Sequence, residues 1–183
     1  GRTTAGKAQK ATLAANGKPV VFSLAYSVAE AMRESVHASP FWPIMEKMRA
    51  CTEMAISGDV NGIGLKCKLD LFDPESCTVV NLKTTRDGHP RSFDRDAWKL
   101  GYWLQAAVEC TLVEQLTGHT PTYFWAVIEK WPPYNFQVYQ FDTVQMKAAQ
   151  SKLYTLLAKY ETAVKDNDFA GYAPRGAILP YKL

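Results

Sequence analysis

The spacing of apolar residues along the chain switches from helical to alternating and back again. Residues 3–16 (TTAGKAQKATLAAN) are rich in Ala and Lys and run to Gly17, which predicts a helix with a glycine C-cap. Ser23 stands where an N-cap belongs, ahead of Ala25, Val28, Ala29 and Met32 at helical spacing. This predicts a second helix through His37. Pro40 and Pro43 punctuate the chain, and a short helix is expected from Ile44 to Ala50.

The period then becomes two. CTEMAIS (51–57) and GIGLKCKLDLF (62–72) flank Asn61-Gly62, a strong hairpin signal. In the second run Leu65, Cys67, Leu69 and Leu71 share one face, and Lys66, Lys68 and Asp70 share the other. After the turn DPES, CTVVNLKTT (77–85) predicts a third strand with Val80 and Leu82 opposite Asn81 and Lys83. A polar loop from Arg86 to Arg91 leads to one long helix, Asp94 to Leu116, stopped by Gly118. Ala97, Leu100, Leu104, Ala107, Val108 and Leu112 form its apolar stripe; Trp98, Tyr102, Gln105 and Glu109 line the neighbouring stripe. Strands follow over 122–130 and 135–142, and a last helix runs from Thr143 to Lys165. The order predicts one α/β (α+β) domain over 1–183, with a central mixed sheet of about five strands flanked by helices.

Composition changes this picture little. Hydrophobic residues make up 47% and charged residues 21% of 183, an ordinary globular balance. A net charge of +3 excludes a strongly acidic binder and leaves nucleic acid open. No apolar run approaches the roughly 18 residues of a membrane span, and no secretion signal opens the chain. A cytoplasmic protein with no membrane partner is expected. Cys51, Cys67, Cys77 and Cys110 are too scattered for a zinc or iron–sulfur site and read as reduced thiols.

The chemistry gathers on three adjacent strands. Neighbouring strands lie about 4.8 Å apart, so Glu53, Asp70, Asn81 and Lys83 can meet on one face, away from the apolar residues of their own strands. Hard oxygens there suit Mg²⁺ or Mn²⁺. Such an ion polarises a phosphate and activates water, while Lys83 orients that water or neutralises the developing charge.

The ordered set of CTEMAI, GLKCKLDLF, NLKTT and GYWLQAA, giving E-x(16)-D-x(10)-N-x-K-T-T, resembles the PD-(D/E)XK nuclease superfamily with its restriction-endonuclease-like core. More narrowly it is similar to the RecE-type exodeoxyribonuclease VIII group of phage recombination enzymes, with lambda exonuclease and the RecB nuclease domain as more distant relatives. The opening RTTAGKAQKA also resembles the start of that group's core. The resemblance implies Glu53, Asp70, Asn81 and the Leu82 carbonyl as metal ligands, and Lys83 as the catalytic lysine. It implies Tyr102 and Gln105 as the motif on the helix bordering the cleft. It further implies 5′-to-3′ digestion of one strand at double-stranded DNA ends, a single-strand annealing protein as partner, a homo-oligomeric ring, and a bacterial or phage-infected cytoplasm. Arg86, Arg91, Arg95 and Lys99, which follow the site, and Lys66 and Lys68 beside Asp70 are candidates for the DNA backbone.

Two departures bear on activity. Asn81 stands where the superfamily carries Asp or Glu; its amide oxygen can ligate a cation but brings no charge. It reads either as a natural variant or as a substitution that disables the site, so a catalytically inactive module that binds DNA or a recombination partner is the competing reading. The Gly-x-x-x-His signature of RecB-like relatives is expected upstream of Gly1. An iron–sulfur nuclease of the Cas4 type is set aside, since no Cys follows Cys110.

Overall fold

A computed structural model describes residues 3–15 and 23–169. Helix α1 (Thr4–Ala15) opens with Thr3 Oγ1 accepting from the Gly6 N–H at 3.2 Å. The glycine cap expected at Gly17 lies outside the described residues. Helix α2 (Ser23–His37) has the expected bounds, but its apolar stripe is not buried. The helix is tied down at its C-terminal end, where Val36 joins a small core and Ser35 Oγ donates to the Tyr134 carbonyl at 2.6 Å. Helix α3 (Trp42–Lys47) starts earlier than Ile44 because Pro43 fits the first turn, where no N–H is needed. A single 3₁₀ turn, Met48–Cys51, closes it.

Strands β1 (Thr52–Val60) and β2 (Ile63–Asp73) form the hairpin, joined by Asn61 (φ 56°) and Gly62 (φ 81°). Two consecutive positive φ values are what this two-residue turn requires, and Asn-Gly supplies them at little strain. Strand β3 (Thr78–Thr85) pairs antiparallel with β2 and parallel with β4 (Thr122–Glu129), and β5 (Phe136–Gln140) pairs antiparallel with β4. The sheet order is β1-β2-β3-β4-β5.

The long helix of the sequence reading is two helices, α4 (Pro90–Lys99) and α5 (Tyr102–Thr117). Gly101 adopts φ 73°, and the chain turns there as the Leu100 N–H closes on the Asp96 carbonyl at 2.8 Å. The apolar spacing reads through this break because both helices bury part of the stripe. Ala97 and Ala107 are core residues, whereas Leu100 at the break is exposed. Helix α5 packs on β1 and β2, and α6 (Thr143–Asp166) covers its other side with Met146, Ala149, Leu153 and Leu157. Covered on both sides, α5 buries Ala106, Ala107, Cys110, Leu112 and Val113, the pattern of a central helix. Asp142 caps α6 by accepting from the Val144 N–H at 2.6 Å and the Gln145 N–H at 3.2 Å. The opposite sheet face carries a smaller core of Met45, Met48, Leu71, Val80 and Ala126. No helix among the described residues is long and apolar enough to cross a membrane.

The alternation expected on β2 breaks at Asp70. Leu65, Cys67 and Leu69 face α5, but Leu71 joins the opposite core and Phe72 returns to the α5 side. Across from Asp70, Glu53 adopts φ 55° and falls between the paired positions Thr52↔Leu71 and Met54↔Leu69. A left-handed non-glycine residue is uncommon and here interrupts the ladder. On the other side of Asp70, β2 and β3 pair only from Asp73↔Thr78 to Leu71↔Val80. Beyond Val80 the two strands part, while β3 stays paired with β4 along its whole length.

Candidate active site

The gap where β2 and β3 part is bridged by a side chain. Asp70 Oδ2 accepts the Leu82 N–H at 2.7 Å, taking the place of a ladder bond. The N–H and C=O of one residue in an extended strand point to the same side, so the Leu82 carbonyl also faces this gap. Its side chain lies on the opposite sheet face from Asn81 and is 49% exposed.

Asn81 and Lys83 share a face with Val79, and that face is the interior under α5. This corrects the expectation of a polar face directed away from the apolar residues: Asn81 is 1% exposed and Val79 is fully buried. Lys83 Nζ donates to Gln105 Oε1 at 2.9 Å and lies 4.5 Å from the centre of the Tyr102 ring, a cation–π contact. Burial lowers the Lys83 ammonium below the usual lysine range, against the opposing charges of Asp70 and Glu109.

Behind Gln105 stands a residue the sequence reading placed on the helix stripe without a role. Glu109 is 1% exposed, and its carboxylate is held by three side chains. Gln105 Nε2 donates to Oε1 at 2.7 Å, Tyr123 OH donates to Oε2 at 2.7 Å, and Asn81 Nδ2 lies 3.4 Å from each oxygen. A buried carboxylate is tolerated only with such partners. Burial pushes Glu109 above the usual carboxylate range, opposed by the bonds from Tyr123 and Gln105 and by the charge of Lys83. Burial pushes Tyr123 well above the usual phenol range, so it keeps the proton it donates. Tyr102, Gln105 and Glu109 follow at i, i+3 and i+7 on α5, and that spacing was the signal available for Glu109.

One buried polar atom of this cluster has no partner: Asn81 Oδ1. An orphaned carbonyl oxygen in the interior calls for a cation or a donor. By donor chemistry, Asn81 Oδ1, the Asp70 carboxylate and the Leu82 carbonyl are hard oxygens of the type that Mg²⁺ or Mn²⁺ takes, with one charged group among them. Glu53 does not join them by any contact. The strand register sets it across from Asp70, but its carboxylate pairs with Lys68, and both side chains are more than half exposed. Among the described residues no three His, Cys, Asp or Glu side chains cluster as a metal site.

The basic candidates fall in two places. Lys66 and Lys68 lie exposed on the outer face of β2. Arg91, Arg95 and Lys99 recur every fourth residue along α4 and are exposed, with Arg86 just before that helix. Trp98 on the same helix is 72% exposed and stacks on Trp103 with ring centres 5.2 Å apart. Arg86, Tyr102 and Lys130 line a cavity of about 250 Å³ near the Tyr102 end of the cluster. A larger cavity of about 550 Å³, walled by Phe93, Trp98, Trp103, Trp125 and Phe141, contains none of Asp70, Asn81, Lys83 or Glu109. The strand gap and this larger cavity are thus separate places in the fold.

A mixed five-stranded sheet flanked by helices is consistent with a restriction-endonuclease-like core. The chain belongs to the family described as PDDEXK-like domain of unknown function (DUF3799), whose profile matches residues 7–175. Its structure is similar to that of a protein from Eubacterium rectale named "putative exonuclease", with TM-score 0.63 and 16% sequence identity. The match covers 86% of this chain and 63% of that one, so the chain spans less than two thirds of that protein's length. No curated protein matches the chain significantly.

Proposed function

We propose that the chain is a metal-dependent DNA exonuclease of RecE type, which digests one strand of linear double-stranded DNA from the 5′ end for recombination. The observation that carries this reading is the junction at the strand gap. There Asp70 holds the Leu82 backbone, and Lys83, two residues after Asn81, is fixed by Gln105. Asp70, the Leu82 carbonyl and Asn81 Oδ1 would hold Mg²⁺ or Mn²⁺. The ion, when bound, supplies charge stabilisation and lowers the pKa of its water.

The chain's own residues do the rest. Lys83 is a cation held in a partly buried place beside the gap, where a phosphate oxygen gaining charge is stabilised more than in water. Gln105 and the Tyr102 ring hold its ammonium in place. Arg91, Arg95 and Lys99 meet phosphates along one side of the duplex, which positions DNA without reading sequence. Trp98 offers a stacking surface to a base at an opened end. A ring of copies, a single-strand annealing partner and a cytoplasmic setting belong to this same reading.

The amide at position 81 supports a second reading, a DNA-binding module without catalysis. Linear duplex labelled at the 5′ or the 3′ end, incubated with Mg²⁺, separates the two. The exonuclease reading expects early release of the 5′ label and no attack on covalently closed circles. Binding with no release of either label is the result expected of the module.

A further inference from the structure

Asn81 and Glu109 are explained together better than apart. An ionised carboxylate has only acceptors to offer. Gln105 and Asn81 both approach Glu109, so each must turn its NH₂ toward it, as the distances of 2.7 Å and 3.4 Å show. This fixes what each amide presents on its other prong. Gln105 is left with Oε1, which receives Lys83 at 2.9 Å. Asn81 is left with Oδ1, buried and without a partner.

We infer that Glu109 is a positioning residue that sets the polarity of two amides at once, directing Gln105 Oε1 to Lys83 and Asn81 Oδ1 to a divalent cation. Asn81 is then the matched partner of Glu109 and not a lost carboxylate. The inference rests on the nuclease reading for its cation, and on the geometry of the buried cluster for the pairing. It carries a consequence opposite to simple repair of the motif. An aspartate at position 81 would face Glu109 at hydrogen-bond distance, and two carboxylates so placed repel. The negative charge that the strand lacks at position 81 sits on the helix, and the site has room for it in one of the two places.

Two readouts test this on the full chain, Mn²⁺ binding followed by electron paramagnetic resonance and thermal unfolding without metal. The variants are Glu109→Gln, Asn81→Asp and the double variant. In Glu109→Gln the new amide can donate to Asn81, which frees Oδ1 to turn inward. Mn²⁺ affinity should fall about 10–100-fold, the usual effect of losing a group that orients a ligand. Asn81→Asp alone should melt lower than the wild-type chain. The double variant should recover both the melting temperature and most of the Mn²⁺ affinity, so the two substitutions are strongly non-additive. The inference is overturned if Glu109→Gln binds Mn²⁺ as tightly as the wild-type chain while only its melting falls. It is equally overturned if the two substitutions simply add. A wild-type chain that takes up no Mn²⁺ overturns the nuclease reading and the cation half of the inference, while the melting cycle still decides whether positions 81 and 109 are coupled.

Discussion

The Lys83 ammonium on β3 and the Gln105 amide oxygen on α5 lie 2.9 Å apart, and the Gln105 nitrogen is in turn fixed 2.7 Å from Glu109. The lysine is thus aimed by a helix side chain that is itself oriented from the core. Replacing Lys83 with Met keeps the stem and removes the charge. DNA hydrolysis should fall about 10²–10³-fold, the effect of losing one group that stabilises developing charge. Binding to duplex DNA should change little. Single-turnover cleavage and a binding titration on the same variant check this; a loss confined to binding would contradict it.

Glu109 predicts a pH dependence of stability. Burial raises its folded value, so the folded chain holds this proton more tightly than the unfolded chain. Below the ordinary carboxylate range both states are protonated and the group contributes no slope. As pH rises from that range through the folded value, stability drains away at up to about 1.4 kcal/mol per pH unit. Glu109→Gln removes this titration. Urea unfolding from pH 4 to about 8 should therefore show the wild-type chain losing stability relative to the variant as pH rises. Parallel curves would contradict it.

Arg91, Arg95 and Lys99 stand on one exposed stripe of α4. If each meets one phosphate, replacing it with Ala lowers the slope of log K against log salt by about 0.9. Trp98→Ala should weaken binding to an opened or single-stranded end by about 1–3 kcal/mol and leave intact duplex nearly unaffected. Fluorescence anisotropy at several salt concentrations checks both. A salt slope unchanged in the triple variant would remove α4 from the DNA path.

Gly101 separates the two helices at φ 73°, and a Cβ there would meet nothing within 4 Å. Gly101→Ala is therefore penalised through the backbone alone, by about 1–2 kcal/mol. Denaturant unfolding should show that loss. No loss would mean that α4 and α5 can run as one helix, as the apolar spacing by itself suggests.

The strands and α6 were legible because their periods are local. Alternation in GLKCKLDLF, Asn-Gly at the hairpin and Asp142 before the last helix each state their structure within a few residues. The helix break was not, since the apolar stripe continues across Leu100-Gly101 and only the glycine marks the turn. The face of Asn81 was misread because β3 is buried on both sides from Thr78 to Asn81, where alternation of polar and apolar residues no longer tells inside from outside. The role of Glu109 depends on Asn81, Gln105 and Tyr123, carried on three different elements, and no spacing along the chain announces their meeting. The bond from the Leu82 N–H to Asp70 lies within reach of a strand argument, since β2 and β3 are neighbours in the sheet.

The central claim is hydrolysis at the gap held by Asp70, and the direct measurement is degradation of end-labelled linear duplex DNA with Mg²⁺ by the wild-type chain and by Asp70→Asn. The account predicts Mg²⁺-dependent release of label by the wild-type chain, abolished by chelation and reduced at least about 10²-fold in the variant. DNA bound but left intact by the wild-type chain, or cut equally well by Asp70→Asn, would contradict it.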